Sequence, residues 1–249
     1  ITSLTRLASV AVLLLFAGAF LTRCASIGNP TGGPRDSLAP TVVTVTPMLN
    51  ATNFREERIY MAFDEYVQLK DQQKELYTSP AMKKKPTVAV RGRGIQITLE
   101  PDSLEPNTTY AINFGSSIQD NNESNPLHSM RYVFSTGDKI DSMYMSGYTA
   151  DAMKADSVSK SFIYFFIADS VERPNEWDST MFKYKPQVIA RAEKNGIFIA
   201  QNLKPVNYRI YAFEDTNGNM EYEPSVDQIG FLDSTYNPME MPGFTIWYD

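Results

Sequence analysis

The stretch IYMAFDE, residues Ile59–Glu65, decides the fold. Ile59, Met61 and Phe63 alternate with Tyr60 and Ala62, the period-two pattern of a strand with one face on a core and the other toward water. The pattern recurs on both sides. Val43 and Val45 alternate with Thr44 and Thr46, and Val88 with Val90 makes a shorter version. Ile95, Ile97 and Leu99 alternate with Gln96 and Thr98, Tyr110, Ile112 and Phe114 with Ala111 and Asn113, and Tyr132 and Phe134 with Arg131 and Val133. Turn formers fill the intervals: Pro47 and Asn50, Pro80, Gly92 and Gly94, Pro101-Asp102, Pro106-Asn107, and the polar run Asp120–Pro126. Short strands with regular turns predict an antiparallel β-sandwich over residues 38–137. The good helix formers of Asp71–Leu76 allow one helical turn inside it.

Gly137–Ser142 is short and polar and marks the domain boundary. A second strand set follows over residues 143–236: Met143–Tyr148, Phe162–Ala168, Val188–Ala192, Gly196–Ala200, Tyr208–Phe213 and Ile229–Leu232. Phe162–Ile167 is apolar on both faces, which predicts a central strand. Lys194-Asn195-Gly196 reads as a hairpin turn, because Asn-Gly accepts the positive backbone angles of a tight turn. The chain opens on Ile1 and stops at Asp249 just after the strand-like run Gly243–Tyr248, so residues 237–249 read as the start of a further segment and the sequence as a fragment at both ends.

Particular residues carry a family resemblance. Pro40, Pro47, the strand Ile59–Asp64 with Glu65 and Val67, Leu99, Pro101, Leu104, Pro106, Thr109-Tyr110, Asp120, Asn125-Pro126-Leu127 and Phe134-Ser135-Thr136 together resemble the bacterial Ig-like domain of the SbsA type. In the second half Asn195-Gly196, Phe198, Leu203, Pro205, Tyr208 and Ala212-Phe213 resemble the carboxypeptidase-regulatory or transthyretin-like sandwich. The expected fold class is therefore all-β, with two consecutive antiparallel β-sandwich domains, Ig-like then transthyretin-like, after an N-terminal signal helix. The resemblance implies architecture and location and brings no catalytic residues with it.

The location comes from the first residues. Arg6 precedes Leu7–Leu21, an uncharged apolar run short for a membrane span and suited to the core of a secretory signal. It ends at Cys24, the only cysteine, in a setting that resembles a bacterial lipobox, although Arg23 sits where a small residue is expected. Residues 1–23 then read as a signal peptide, Cys24 as the lipidation site, and residues 24–37 as a lipid-anchored tether rich in Gly, Pro and small polar residues. The alternatives are an uncleaved anchor or a plain signal peptide. With the Ig-like domain, the whole is similar to Ig-like lipoproteins of Bacteroidetes. It implies a cell-envelope protein held by lipid to the outer membrane. Residues 25–29 carry no charge, unlike the acidic run of surface-exported lipoproteins of that group, so the expected orientation faces the periplasm.

Composition sets limits. The net charge is −6, and −8 once Arg6 and Arg23 leave with the signal, which argues against nucleic acid as a partner. No cysteine remains for a disulfide, so packing alone must hold both domains. The single histidine, His128, has no second histidine and no Gly-x-Ser-x-Gly nearby to make a zinc or hydrolase site. Asp64-Glu65 are adjacent on a strand and face opposite ways, so they cannot act as an acid/base pair. The expectation is a protein without catalytic residues or cofactor.

Two readings stay open at the loop Asp215-Thr216-Asn217-Gly218-Asn219. Asp215, Asn217 and Asn219 space their oxygens like the front of a calcium loop, but Met220 and Val226 stand where glycine and a bidentate glutamate belong. The other reading is a turn closed by Asx hydrogen bonds. The polar loop Asp120–Asn125 reads as a turn of the same kind. Lys83–Lys85 with Arg91 and Arg93 suggest a cationic patch for anionic headgroups, or a solvated edge. Trp177, Phe182, Tyr184, Trp247 and Tyr248 suggest a carbohydrate platform, or ordinary packing. The expected function is structural or protein-docking, with a surface glycan- or protein-binding adhesion module as the alternative and a hydrolase accessory protein third.

Overall fold

The computed structural model describes residues 33, 35–151, 161–168, 184–240 and 243–248. Ser37–Asp249 forms one compact unit. It is an all-β unit. Its helices are one α-turn, α1 (Gln72–Glu75), and one 3-10 turn at Pro101–Ser103, among the described residues.

The first sandwich has nine strands: β1 (Val42–Thr46), β2 (Arg58–Phe63), β3 (Val67–Leu69), β4 (Tyr77–Ser79), β5 (Thr87–Arg91), β6 (Gly94–Thr98), β7 (Thr109–Asn113), β8 (Ile118–Asp120) and β9 (Arg131–Ser135). They form a sheet of order β1-β2-β6-β5, a sheet β4-β7-β9 and the pair β3-β8, with every pairing antiparallel. Ile59, Met61 and Phe63 of β2 and Ile95 and Ile97 of β6 bury against Tyr110, Ile112, Tyr132 and Phe134 of β7 and β9. The Phe134 ring sits 4.2 Å from Phe54 and 5.6 Å from Tyr110, at the centre of that core. The edge of β9 is covered by its own chain: Asn50 N–H donates to Val133 O, and Ser135 N–H to Ala51 O.

The strands β3, β4 and β8 were not visible as alternation. Each is three residues long, too short for a period-two pattern to repeat.

Among the described residues, the second sandwich holds a seven-stranded sheet of β10 (Met143–Asp151), β11 (Ser161–Ile167), β12 (Val188–Arg191), β13 (Ile197–Leu203), β14 (Tyr208–Glu214), β15 (Ile229–Phe231) and β16 (Gly243–Tyr248), in the order β12-β11-β14-β15-β16-β10-β13. Its inner face buries Met145, Ile163, Phe165, Phe198, Leu203, Ile210 and Ile246. Pairing is antiparallel except for β10 with β16, which run parallel. That pair departs from the expected all-antiparallel pattern, and β16 lies inside this sheet between β15 and β10. β11 has a strand on either side and is buried on both faces, Ile163 and Phe165 inward, Phe162 and Phe166 outward. The β12–β13 turn closes on Glu193, whose carbonyl accepts from Gly196 N–H, with Gly196 at φ +80.

Both sandwiches use one device. In Leu104-Glu105-Pro106 through Tyr110, the tyrosine hydroxyl accepts Glu105 N–H at 2.9 Å. In Leu203-Lys204-Pro205 through Tyr208, the hydroxyl accepts Lys204 N–H at 2.8 Å. Each ties the corner before a core strand to that strand, as the tyrosine corner of Ig folds does. Burial pushes the Tyr208 hydroxyl up to about 12 and raises that of Tyr110.

The sandwiches meet over the outward face of β4-β7-β9. Thr109, Ala111 and Asn113 point away from the first core, yet all three are buried. Ile189 N–H of the edge strand β12 donates to Ser79 Oγ at 2.8 Å. The Tyr77 ring meets Phe162 edge-on at 5.6 Å, in a cluster with Ile189, Phe213, Met220 and Tyr222. Arg191 pairs with Glu75 at 3.0 Å and Lys185 with Glu105 at 2.7 Å. Glu75 also accepts Ser116 N–H beside Gly115, where φ is +54 and a Cβ would run into the Glu75 carboxylate. These contacts arise because a polar, small-residue face lets a second backbone approach closely while its hydroxyls and carboxylates satisfy the buried donors.

Candidate functional site

The Asp215 loop connects β14 to β15 and is organised from within. Asp215 is buried, and its Oδ1 accepts Gly218 N–H at 2.8 Å and Asn219 N–H at 3.1 Å, while Oδ2 accepts Met220 N–H at 3.2 Å. Asn217 Oδ1 accepts Asn219 N–H, and Asn219 Oδ1 accepts Glu221 N–H. Their amide nitrogens donate to the two oxygens of Glu223, and Asp227 accepts from Thr216 and Glu223 N–H. Asp215, Asn217 and Asn219 thus each accept main-chain N–H bonds, the Asx-turn arrangement. Among the described residues no trio of His, Cys, Asp or Glu is placed to hold a metal. Met220 and Tyr222 carry the loop into the cluster around Tyr77, so its position serves the joint between the sandwiches.

Asp120 repeats the design in the first sandwich. It is buried, and its carboxylate accepts N–H bonds from Asn122, Glu123, Ser124 and Asn125 at 2.6–3.1 Å. Burial, the largest single influence, pushes its carboxyl up, but the four donors together hold it below the usual range. Asp64 accepts from Thr41 N–H and Thr41 Oγ, and the Thr41 hydroxyl is the main reason its carboxyl is lowered. It fastens the entry into β1 and has no catalytic geometry.

The remaining candidates do not converge. Cys24, Trp177 and Phe182 lie outside the described residues. Trp247 is exposed while its neighbour Tyr248 is buried in the second core, because adjacent strand residues face opposite ways. His128 is exposed between β8 and β9. Lys83–Lys85 and Arg91–Arg93 flank opposite ends of β5, roughly 15 Å apart at a strand's rise per residue, so they make no single patch. Lys84 lies 3.8 Å from Glu100, and Arg93 stacks over Tyr66 at 5.2 Å.

A site not expected from sequence lies between the sandwiches. A groove of about 500 Å³ is lined by Asn50, Arg131, Asp141, Tyr144, Ile199 and Gln201, among others. Arg131 Nε donates to Asn113 Oδ1 at 3.0 Å and Nη2 to Asn202 Oδ1 at 2.8 Å, which bridges β9 to β13. Burial pulls the Arg131 guanidinium down, with the Tyr77 hydroxyl acting the other way. Asp141 turns elsewhere, its Oδ2 accepting from the Thr109 hydroxyl. No sequence signal marked Arg131, since an arginine at an outward strand position reads as solvated.

Against this geometry, comparison with known proteins adds one assignment. Residues 36–136 match the family model of the bacterial Ig-like domain. That match covers the Ig-like sandwich and stops at the boundary before β10. No curated protein matches the chain. Among solved structures it is similar to BcpA, the major pilin subunit of Bacillus cereus, at 10% identity over 84% of this chain and 70% of that one, with a TM-score of 0.27. It is similar to the group B streptococcus pilus 2b backbone protein at 11% identity, over 84% and 96%, with a TM-score of 0.23. An L,D-transpeptidase from Mycobacterium smegmatis follows at 10% identity, over 72% and 77%, with a TM-score of 0.26. Likenesses this distant say nothing of function.

Proposed function

We propose that this is a non-catalytic module of the bacterial cell envelope, a lipoprotein acylated at Cys24 whose two sandwiches present a rigid docking surface to envelope partners. The Ig-like match over residues 36–136 carries this reading. The roles of the candidate acids agree with it, because Asp64, Asp120 and Asp215 each accept local backbone N–H bonds that hold a turn or a strand entry. The second sandwich is read as transthyretin-like, with a parallel closing pair. The protein sits on the periplasmic side of the outer membrane of a Bacteroidetes-type cell, within roughly 20–25 Å of it on its short tether. Fractionation of cells carrying Cys24→Ser tests the anchor: the variant leaves the membrane fraction and takes up no labelled lipid, whereas an unchanged membrane fraction contradicts it. Protease on intact cells leaves a periplasm-facing protein whole. Cleavage there favours the second reading, a surface module for glycan or protein, to which the groove between the sandwiches lends weight.

A further inference from the structure

We propose that the groove between the sandwiches binds an acidic saccharide, its carboxylate on the Arg131 guanidinium and its ring against Tyr144 and the amides of Asn50 and Gln201.

The first observation is a contrast among cations at the joint. Arg191 has Glu75 and Lys185 has Glu105, both within ion-pair distance. Arg131 has no carboxylate partner among the described residues. Its two side-chain acceptors are the neutral amides of Asn113 and Asn202. This holds in a chain with 29 Asp and Glu against 23 Lys and Arg, where a carboxylate was easily supplied. A desolvated guanidinium without a counter-charge is costly, and an arriving carboxylate relieves that cost. The two amide contacts fix the plane of the fork in advance, which cuts the entropy lost when an acid binds.

The second observation is the wall. A volume near 500 Å³ at a domain junction lies in the range of small-molecule sites. Its polar surface is mostly neutral, from Asn50, Ser142, Gln201 and Asn202, with one carboxylate, Asp141, engaged by Thr109. Tyr144 is 59% exposed on β10 and Ile199 55% exposed on the neighbouring β13, an aromatic ring and an aliphatic side chain open to solvent beside those amides. Neutral amides with an exposed ring suit the hydroxyls and the apolar face of a sugar. An apolar peptide anchor would want a deeper, drier pocket. The proposal goes beyond the docking role above and does not depend on the lipid anchor.

The test is titration of the purified chain with oligosaccharides of galacturonate and of glucuronate, their neutral counterparts, and acetate, followed by calorimetry and by the Arg131 Nε–H resonance. At least one acidic oligosaccharide binds saturably and shifts that resonance, and its neutral counterpart binds at least about tenfold more weakly. Tyr144→Ala weakens binding roughly three- to tenfold with an unchanged melting temperature, since the ring is exposed. Arg131→Lys weakens it about tenfold while keeping the charge. Equal binding of acidic and neutral sugars overturns the role of Arg131. Equal binding by acetate overturns the saccharide. Failure of every acidic oligosaccharide, or indifference to Tyr144→Ala, overturns the site.

Discussion

The two sheets of the first sandwich face the same core but end differently on their outer sides. In β1-β2-β6-β5 the alternation of RIYMAF is also an alternation of exposure: Ile59, Met61 and Phe63 are buried, and Arg58 and Tyr60 are exposed. In β4-β7-β9 the strand TYAIN is buried throughout. Both strands alternate large apolar residues with small or polar ones, so both read as half-buried. The difference lies in what covers the second face. Thr109, Ala111 and Asn113 are small enough for the second sandwich to approach, and Ser79 supplies an acceptor to its edge strand. Alternation thus reports which residues face the strand's own core. It does not report whether water or another domain lies beyond.

The largest loss is expected in the core that both sheets share. Phe134→Ala removes a fully buried ring in contact with three aromatic neighbours, and the expected loss is roughly 3–5 kcal/mol in denaturant unfolding. The paired substitutions Ala111→Glu and Gln96→Glu probe the two outer faces. The first puts a carboxylate into the joint and costs about 3 kcal/mol or more. The second sits on the outward face of β6, half-buried, and shifts stability by no more than about 0.5 kcal/mol. Similar losses from both would mean that the outer faces do not differ.

Smaller effects come from the corner tyrosines that both sandwiches share. Tyr110→Phe and Tyr208→Phe each leave a corner N–H without its acceptor, for a loss of about 1 kcal/mol each in chemical denaturation. Asp120 gives a pH signature. Its folded carboxyl titrates below its ordinary value of 3.8, so the stability it contributes is complete above that value and is lost as pH falls through the lower, folded one. The gap in melting temperature between wild type and Asp120→Asn should be widest at neutral pH and should close in acid below about pH 4. A gap independent of pH would show that the four N–H bonds do not depend on the charge.

Much of the fold was legible in particular residues. The period of Ile59–Phe63, Ile95–Leu99 and Tyr110–Phe114 placed the first core, and the doubly apolar Phe162–Ile167 announced a strand covered on both faces. The parallel partnership of β10 and β16 was not legible, because pairing partners distant in sequence leave no local pattern. The Asp215 loop showed why oxygen spacing is ambiguous: the same residues that ligate calcium also close Asx turns, and oxygens that accept main-chain N–H bonds keep further lone pairs. Arg131 was illegible for a related reason. One of its two side-chain acceptors, Asn202, lies 71 residues away across the joint.

Calorimetry of the chain from Ser37 onward tests the central claim, that the second face of β4-β7-β9 makes the two sandwiches one cooperative body. A single transition with equal calorimetric and van't Hoff enthalpies is expected, which Ser79→Lys splits into two by forcing a charge between β4 and β12. Two separate transitions in the unaltered chain, with midpoints that Ser79→Lys leaves unmoved, would contradict it.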